Sequence, residues 1–317
     1  MKKVVIFGGG TGLSCLLSGL KLFPIDVTAI ITVSDNGSST GQLKKELNIP
    51  AVGDIGKVLI SMSNVDNDFT KLLSYRFDAK DSFLENHPVR NILLAALIDI
   101  KGNLTEATKY MSELLNIHGL VLPLTEEKVD LIGIGENHEE YIGEELVSQN
   151  IQNIVSLKYD TEFKVNKEVL KKMKEADLII FSPGSLYTSI IPHLITKEIR
   201  SELDKVDAPI MYIANLVTQP GETDDYTLSD HIKVLNNFLN KRKIDIVVAN
   251  NKKVDPVIVK KYMMLEHKKL VKFDKSKTEK LGARIIADKT FAVYNGTIRH
   301  NPLKTAYLIF SYLMEDE

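Results

Sequence analysis

The 317-residue sequence holds a single cysteine, Cys15, and no tryptophan. One cysteine excludes an intramolecular disulfide and a cysteine-based zinc site within one chain. Its neighbours Leu13, Leu16 and Leu17 make it read as a small buried apolar residue rather than a nucleophile. No apolar run approaches the roughly 20 residues needed to span a bilayer. The N-terminus enters a strand directly, without the layout of a signal peptide. No membrane insertion is expected, and a reducing cytoplasm is the expected compartment. A charge of one sign is missing too: the formal net charge of -2 gives no overall drive toward nucleic acid. His87, His231, His267 and His300 lack the spacing of zinc ligands. No GxSxG elbow and no lysine-bearing P-loop occurs.

What is present is a set of glycine- and hydroxyl-rich segments, each directly after an apolar run. Gly8-Gly9-Gly10-Thr11-Gly12 follows Val4-Val5-Ile6-Phe7. Asp35-Asn36-Gly37-Ser38-Ser39-Thr40-Gly41 follows the run Val27 to Val33. Ser182 to Ser189 follows Leu178-Ile179-Ile180-Phe181, and Asn215 to Thr223 follows Pro209 to Ala214. In an open parallel sheet the carboxyl ends of the strands share one edge, so the four loops should converge on one crevice. Glycines let backbone approach phosphate oxygens, and first-turn N–H groups of the following helix bind an anion. Lysine pairs between Lys241 and Lys280 read as a solvated helical face or as an electropositive wall for an anionic ligand.

The periodicity predicts an α/β protein: a Rossmann-like, mostly parallel sheet flanked by helices. Leu13, Leu16, Leu17 and Leu20 give the first helix an apolar face. From about 54 to 117 the pattern is helical, which reads as an insertion in a single domain spanning 1–317. An exposed apolar helix face there is a candidate homo-oligomer contact. Val129 to Ile134 and Ile154 to Leu157 read as strands of a small antiparallel element. Strands at Leu178 to Phe181, Pro209 to Ile213 and Asp245 to Ala249 follow, and a helix from about Leu303 to Met314 closes the chain.

The first glycine turn fails the dinucleotide fingerprint, because Leu13 stands where the third glycine belongs; an NAD(P) oxidoreductase is the weakest reading. Asp35 would cap a turn or hold Mg²⁺ beside a phosphate. Asp54 would cap a helix or act in catalysis. His87 and Asn91 share a helix face near Arg90, whose guanidinium suits a phosphate or a surface ion pair. Ser185, at a helix start after Gly184, suits phosphate binding. Arg299, beside His300 just before the last helix, could clamp a diphosphate. Tyr262 is either packing or a platform for a base.

Taken in order, Gly8 to Gly12, Val33 to Leu43, Gly53-Asp54-Ile55, His87 to Leu97, Ala176 to Ile191, Asn215 to Asp225 and Arg299 to Pro302 resemble the CofD-like superfamily. The likeness is greatest to its YvcK-type, gluconeogenesis-factor branch. Pro183-Gly184-Ser185-Leu186-Tyr187-Thr188-Ser189 and Thr218-Gln219-Pro220-Gly221-Glu222-Thr223 are the most specific pair. The resemblance implies a ligand lying across the strand ends. It also implies one of two functions. The CofD branch transfers a phospholactyl-type group from a guanosine diphosphate-activated donor to a deazaflavin, with Mg²⁺. The YvcK branch is associated with cell shape and wall synthesis during gluconeogenic growth and with UDP-sugar binding, and has no established catalytic activity.

Three departures from the family pattern remove polar groups: Asn36 where a second acid is usual, Gly56-Lys57 where arginine and asparagine are usual, and Asn301 where an acid is usual. They favour anion binding over metal-assisted transfer. The expectation is a nucleotide-sugar or dinucleotide ligand and a protein partner in cell-wall synthesis. The ligand would be held by Gly9, Gly10, Thr11, Gly12, Asn36, Gly37, Ser38, Ser39, His87, Asn91, Gly184, Ser185, Thr188, Asn215, Thr218, Tyr262 and Arg299. The alternative is a Mg²⁺-dependent transferase with Asp35 and Asp54 on the metal or acting as base.

Overall fold

Strands form where branched and aromatic apolar residues run uninterrupted, the pattern of a strand buried on both faces. The computed structural model describes residues 1–78, 80, 82–294 and 296–315. Its first strands are β1 (Lys2–Gly8), β2 (Ile25–Ile31), β3 (Leu120–Pro123), β4 (Leu131–Gly135), β5 (Glu140–Ile142) and β6 (Ile154–Tyr159). They are followed by β7 (Leu178–Phe181), β8 (Ile210–Ile213), β9 (Ile246–Asn250), β10 (Arg284–Asp288), β11 (Phe291–Tyr294) and β12 (Thr297–His300). Seven of them, in the order β10-β9-β8-β7-β1-β2-β3, form one sheet in which every neighbouring pair is parallel. Strands β5-β4-β6 make a small antiparallel sheet, and β11 with β12 an antiparallel hairpin. This is the expected Rossmann-like arrangement.

Strand β1 feeds two cores at once. Val4 and Ile6 pack with Leu13, Leu16, Leu17 and Leu20 of the helix Gly10–Leu20. Val5 and Phe7 point the other way, into the cluster of Ile179, Phe181, Ile190 and Ile191. Burying one such side chain is worth about 1.5–3 kcal/mol, so the helix layers on both faces are held firmly to the sheet.

The helical stretch is the connection from β2 to β3: Gly53–Met62, Asn67–Ser74, Val89–Lys101 and Leu104–Leu114 lie between those neighbouring strands. Among the described residues no helix is long and apolar enough to cross a membrane. Several elements stand outside the sequence expectation. Strand β3 has only four residues and ends in Pro123, which suits its place at one sheet edge. Strand β10, at the other edge, is partly exposed along its length and charged at both ends. The hairpin β11–β12 follows a legible signal, Asn295-Gly296 between alternating runs.

Candidate functional site

The chain winds outward from β1 to β2 and β3, and in the opposite direction from β7 to β10. The loops after β1 and β7 therefore diverge and leave a crevice between them. A cavity of about 260 Å³ opens there, walled by Gly9 to Gly12, by Pro183 to Ser185, by Asn215 to Gln219, and by Lys268, Arg299 and His300. Three of the four expected loops thus meet at one cleft.

The first wall is a helix terminus rather than a free loop. The helix starts at Gly10, ahead of its apolar face, so the glycines are its first turn. No side chain caps it, which leaves its leading N–H groups to a ligand. Thr11 is exposed beside them. The glycine at 12 is dictated by close approach: a Cβ there would lie 2.1 Å from the Pro183 carbonyl oxygen. The turns after β1 and β7 are therefore in backbone contact.

The second wall satisfies itself. The Ser185 hydroxyl accepts from Thr188 N at 3.0 Å and from the Thr188 hydroxyl at 2.7 Å, and donates to Glu222 at 2.7 Å. Tyr187 N donates to the same carboxylate oxygen at 2.8 Å. Burial pushes the Glu222 carboxyl up to about 7, against the pull of these donors. Glu222 thus fills the anion position at this helix start. Ser185 and Thr188 are engaged with it and with each other, contrary to the expectation that they donate to a ligand. Asn215 bridges Gly184 reciprocally, accepting from its N–H at 3.1 Å and donating to its carbonyl at 2.8 Å. The Thr218 hydroxyl accepts from Lys269 N at 3.0 Å. Asn215 and Thr218 line the cleft but shape it more than they offer hydrogen bonds to it.

The opposite wall is cationic. Arg299, on β12, is exposed and has no carboxylate partner among the described residues. Lys268 pairs with Glu266 at 2.8 Å. His300 is buried, and burial pushes its imidazole down to about 4 although the Ala214 carbonyl works against this, so the ring is neutral. Cys15 also lines the cleft, half-buried rather than fully buried, and its thiol donates to the His300 carbonyl at 3.3 Å. Burial raises the thiol pKa with only partial offset by Arg299, which leaves it a poor nucleophile. Lys268 comes from the lysine pairs that the sequence offered as an electropositive wall, although it was not among the residues expected to hold the ligand.

The loop after β2 does not line this cavity. Asp35 accepts from Gly37 N at 2.9 Å, as the turn-capping reading expected. Asn36 accepts from Glu145 N at 3.1 Å. Ser39, His87 and Asn91 do come together, but inside the protein. His87 Nε2 lies 3.1 Å from Gln42 Oε1, so Nδ1 accepts from the Ser39 hydroxyl at 2.8 Å. Asn91 Nδ2 donates to the Ser39 hydroxyl at 3.2 Å. Of this loop only Ser38 is exposed, in the left-handed region with φ 39°. Tyr262 follows its packing reading and leaves the expected ligand set: it is buried in a cluster with Val254, Phe291 and Ile298.

Asp54 is not a helix cap. It stands in the first turn of Gly53–Met62, where Val52 is the cap residue, and it pairs with Lys57 at 2.8 Å. Burial and the Asp54 charge raise the Asp35 pKa. Burial, then Asp35 and Asp54, push Glu144 up to about 8. Among the described residues no group of three metal-ligating side chains converges. The Mg²⁺ that the resemblance implies does not fit these residues as they stand, because a lysine holds Asp54 Oδ1 and a backbone N–H holds Asp35 Oδ1.

A doubly wound α/β sheet with an uncapped helix terminus and a cationic wall at its switch point belongs to the Rossmann-like class. The chain belongs to the CofD family: it matches the family described as 2-phospho-L-lactate transferase CofD over residues 4–291. It is 40% identical over 315 residues to the gluconeogenesis factor of Bacillus subtilis (strain 168), covering 99% of this chain and 98% of that one. It is 36% identical over 311 residues to the gluconeogenesis factor of Halalkalibacterium halodurans, covering 97% and 95%. A crystal structure of a Bacillus halodurans protein, described as a member of the UPF0052 family, superimposes with a TM-score of 0.93 at 35% identity, covering 98% of this chain and 99% of that one.

Proposed function

We propose that this protein binds a nucleoside diphosphate sugar, a UDP-sugar first among them, in the switch-point cleft and acts through binding rather than turnover. The observation that carries the reading is the uncapped N-terminus of Gly10–Leu20 facing Arg299, which has no carboxylate partner among the described residues, across the cleft. A diphosphate satisfies both at once: N–H groups take one set of oxygens and the guanidinium fork takes another. The remaining room suits a nucleotide sugar. A second cavity of about 360 Å³, at the ends of β8 and β9, shares Asn215 and Leu216 with the first and is rimmed by Lys252, Lys253 and Lys272.

The residues in the cleft also favour binding over chemistry. His300 is neutral and Cys15 is protonated, so among the described residues no thiolate lines the cleft beside an activating base. The gluconeogenesis-factor name of relatives matched over nearly the whole chain supports a regulatory role during growth on gluconeogenic carbon. Within that role we place the protein in the cytoplasm, upstream of cell-shape and wall synthesis. Leu93 and Ile100 on the helix Val89–Lys101 are exposed and would serve a homo-oligomer or a protein partner.

The test is incubation with UDP-N-acetylglucosamine, UDP-glucose, GTP and NAD, with and without Mg²⁺. Melting temperature is followed, and the recovered ligand is weighed by mass spectrometry. A UDP-sugar that raises the melting temperature and returns intact is expected. A donor returned cleaved would replace this reading with the transferase activity for which the family is described.

A further inference from the structure

Past Asn215 and Leu216 the cleft adjoins the second cavity, whose charge is all of one sign. Leu228, Leu270 and Phe273 line it together with Lys252, Lys253 and Lys272, and among the described residues no acidic side chain does. The three lysines are exposed, and none has an ion pair among the described residues. The Asp288 carboxylate feels the charge of Lys252, but its ion pair is with Lys304, at 2.6 Å. In a chain of formal net charge -2 this excess of positive charge is local.

The lysines stand on pinned backbone. Asn250, the last residue of β9, holds Lys252 twice: its Oδ1 accepts from Lys252 N at 3.3 Å, and its Nδ2 donates to the Lys252 carbonyl at 2.8 Å. Asn251 ties the same loop to β10, its N–H donating to the Asp288 carbonyl at 3.2 Å and its Nδ2 to the Ala287 carbonyl at 3.3 Å. Beside Lys272, Val271 N donates to the Leu216 carbonyl at 3.0 Å, and the Lys272 carbonyl accepts from Leu228 N at 2.9 Å. The backbone entropy is thus already spent, and a ligand has only the side chains left to order.

Position along the sheet edge decides what these side chains meet. Strands β7 and β8 separate β1 from β9, which makes three strand spacings, about 14 Å, between the glycine turn and the Lys252 loop. A diphosphate held at the terminus of Gly10–Leu20 does not span that distance. The hexose attached to it does, with a lysine side chain reaching back. The diphosphate is already matched by the helix terminus and Arg299. A nucleobase or a neutral hexose in the second cavity would leave the ammonium groups facing no opposite charge.

We infer that the second cavity is a subsite for an acidic sugar: the ligand is a nucleoside diphosphate sugar whose hexose bears a carboxylate, and Lys252, Lys253 and Lys272 select it over the neutral hexose. This inference rests on the nucleotide-sugar reading of the cleft and narrows it.

The experiment compares affinities by calorimetry within two pairs of ligands. UDP-glucuronate and UDP-glucose differ only in a carboxylate against a hydroxymethyl group. UDP-N-acetylmuramate and UDP-N-acetylglucosamine differ in a carboxylate carried on an ether arm elsewhere on the ring. Wild type should bind the acid of at least one pair about ten-fold tighter than its neutral partner, and the pair that shows it locates the carboxylate. Lys252→Met with Lys272→Met should bring that ratio to about two-fold or less, and added salt should shrink it too. The corresponding glutamine variants serve if the methionine protein does not fold. Lys253→Glu should turn the preference toward the neutral sugar. Arg299→Ala should weaken acid and neutral ligand alike and keep the ratio. Equal affinities within both pairs, or a preference that survives loss of the lysines, overturns the subsite and leaves the nucleotide-sugar reading standing. If none of the four ligands binds wild type, that reading falls and the subsite falls with it.

Discussion

The turns after β1 and β2 stand side by side at one sheet edge and are satisfied in opposite ways. After β1 the helix begins in bare glycine, and its first N–H groups face a cavity. After β2 the helix Ser38–Glu46 also begins without a side-chain cap, at Gly37, but its polar side chains are bonded to groups from elsewhere in the chain. Both turns have the residue types of an anion loop. What separates them is whether the fold delivers internal partners: His87, Asn91 and Glu145 reach the second turn, and among the described residues no side chain caps the first. The turn after β7 is intermediate. It borders the cleft, yet Glu222 already sits at its helix start.

The largest test of this contrast is steric. Gly12→Ala pushes a Cβ to 2.1 Å from the rigid Pro183 carbonyl, whereas Gly37→Ala meets only Asp35 Oδ1 at 3.4 Å. Urea unfolding should show a loss of about 3 kcal/mol for the first and well under about 1 kcal/mol for the second. Equal losses would mean that the two turns are equally constrained.

The next test is pH. Glu222 is raised from an ordinary 4.5 to about 7, so the folded state holds its proton more tightly than the unfolded chain does. The stability it contributes is fully present below about pH 4.5 and is lost as pH rises to about 7. Relative to Glu222→Gln, wild type should lose up to about 3 kcal/mol across that window. Parallel stability profiles for the two proteins would show that the carboxylate is not buried as described.

Smaller effects separate binding from packing. Arg299→Ala should weaken UDP-sugar affinity by about 2 kcal/mol, roughly 30-fold, with an unchanged melting temperature. Ser39→Ala should do the reverse, costing about 1 kcal/mol of stability and leaving affinity as it was. A loss of affinity in Ser39→Ala would return the β2 turn to the ligand site.

The strands β1, β2, β7, β8 and β9 were legible because each is an apolar run ended by a turn, and their parallel order put four loops on one edge. The edge strands β3 and β10 were not, since an edge needs neither length nor full burial. In the site, glycine turns and Arg299 could be read locally. The internal locks could not, because their partners are remote: Ser39 and His87 are 48 residues apart, and Ser185 and Glu222 are 37. Tyr262 stayed open between packing and stacking for the same reason, as its packing partners Phe291 and Ile298 come from a hairpin that follows it in the chain. Lys57 was visible as a departure from the family pattern, but its ion pair with Asp54 was not.

The hairpin also sets the order in which the molecule can become competent. By Asp288 all seven strands of the main sheet have been made, but Arg299 and the helix Pro302–Leu313 have not. That last helix packs Ala306, Ile309 and Leu313 into the same core as Leu13, Leu16 and Leu17, so it braces the very helix whose terminus faces the cleft. A chain released after Asp288 would carry the finished main sheet but a cleft without its Arg299 wall and without the helix that braces Gly10–Leu20.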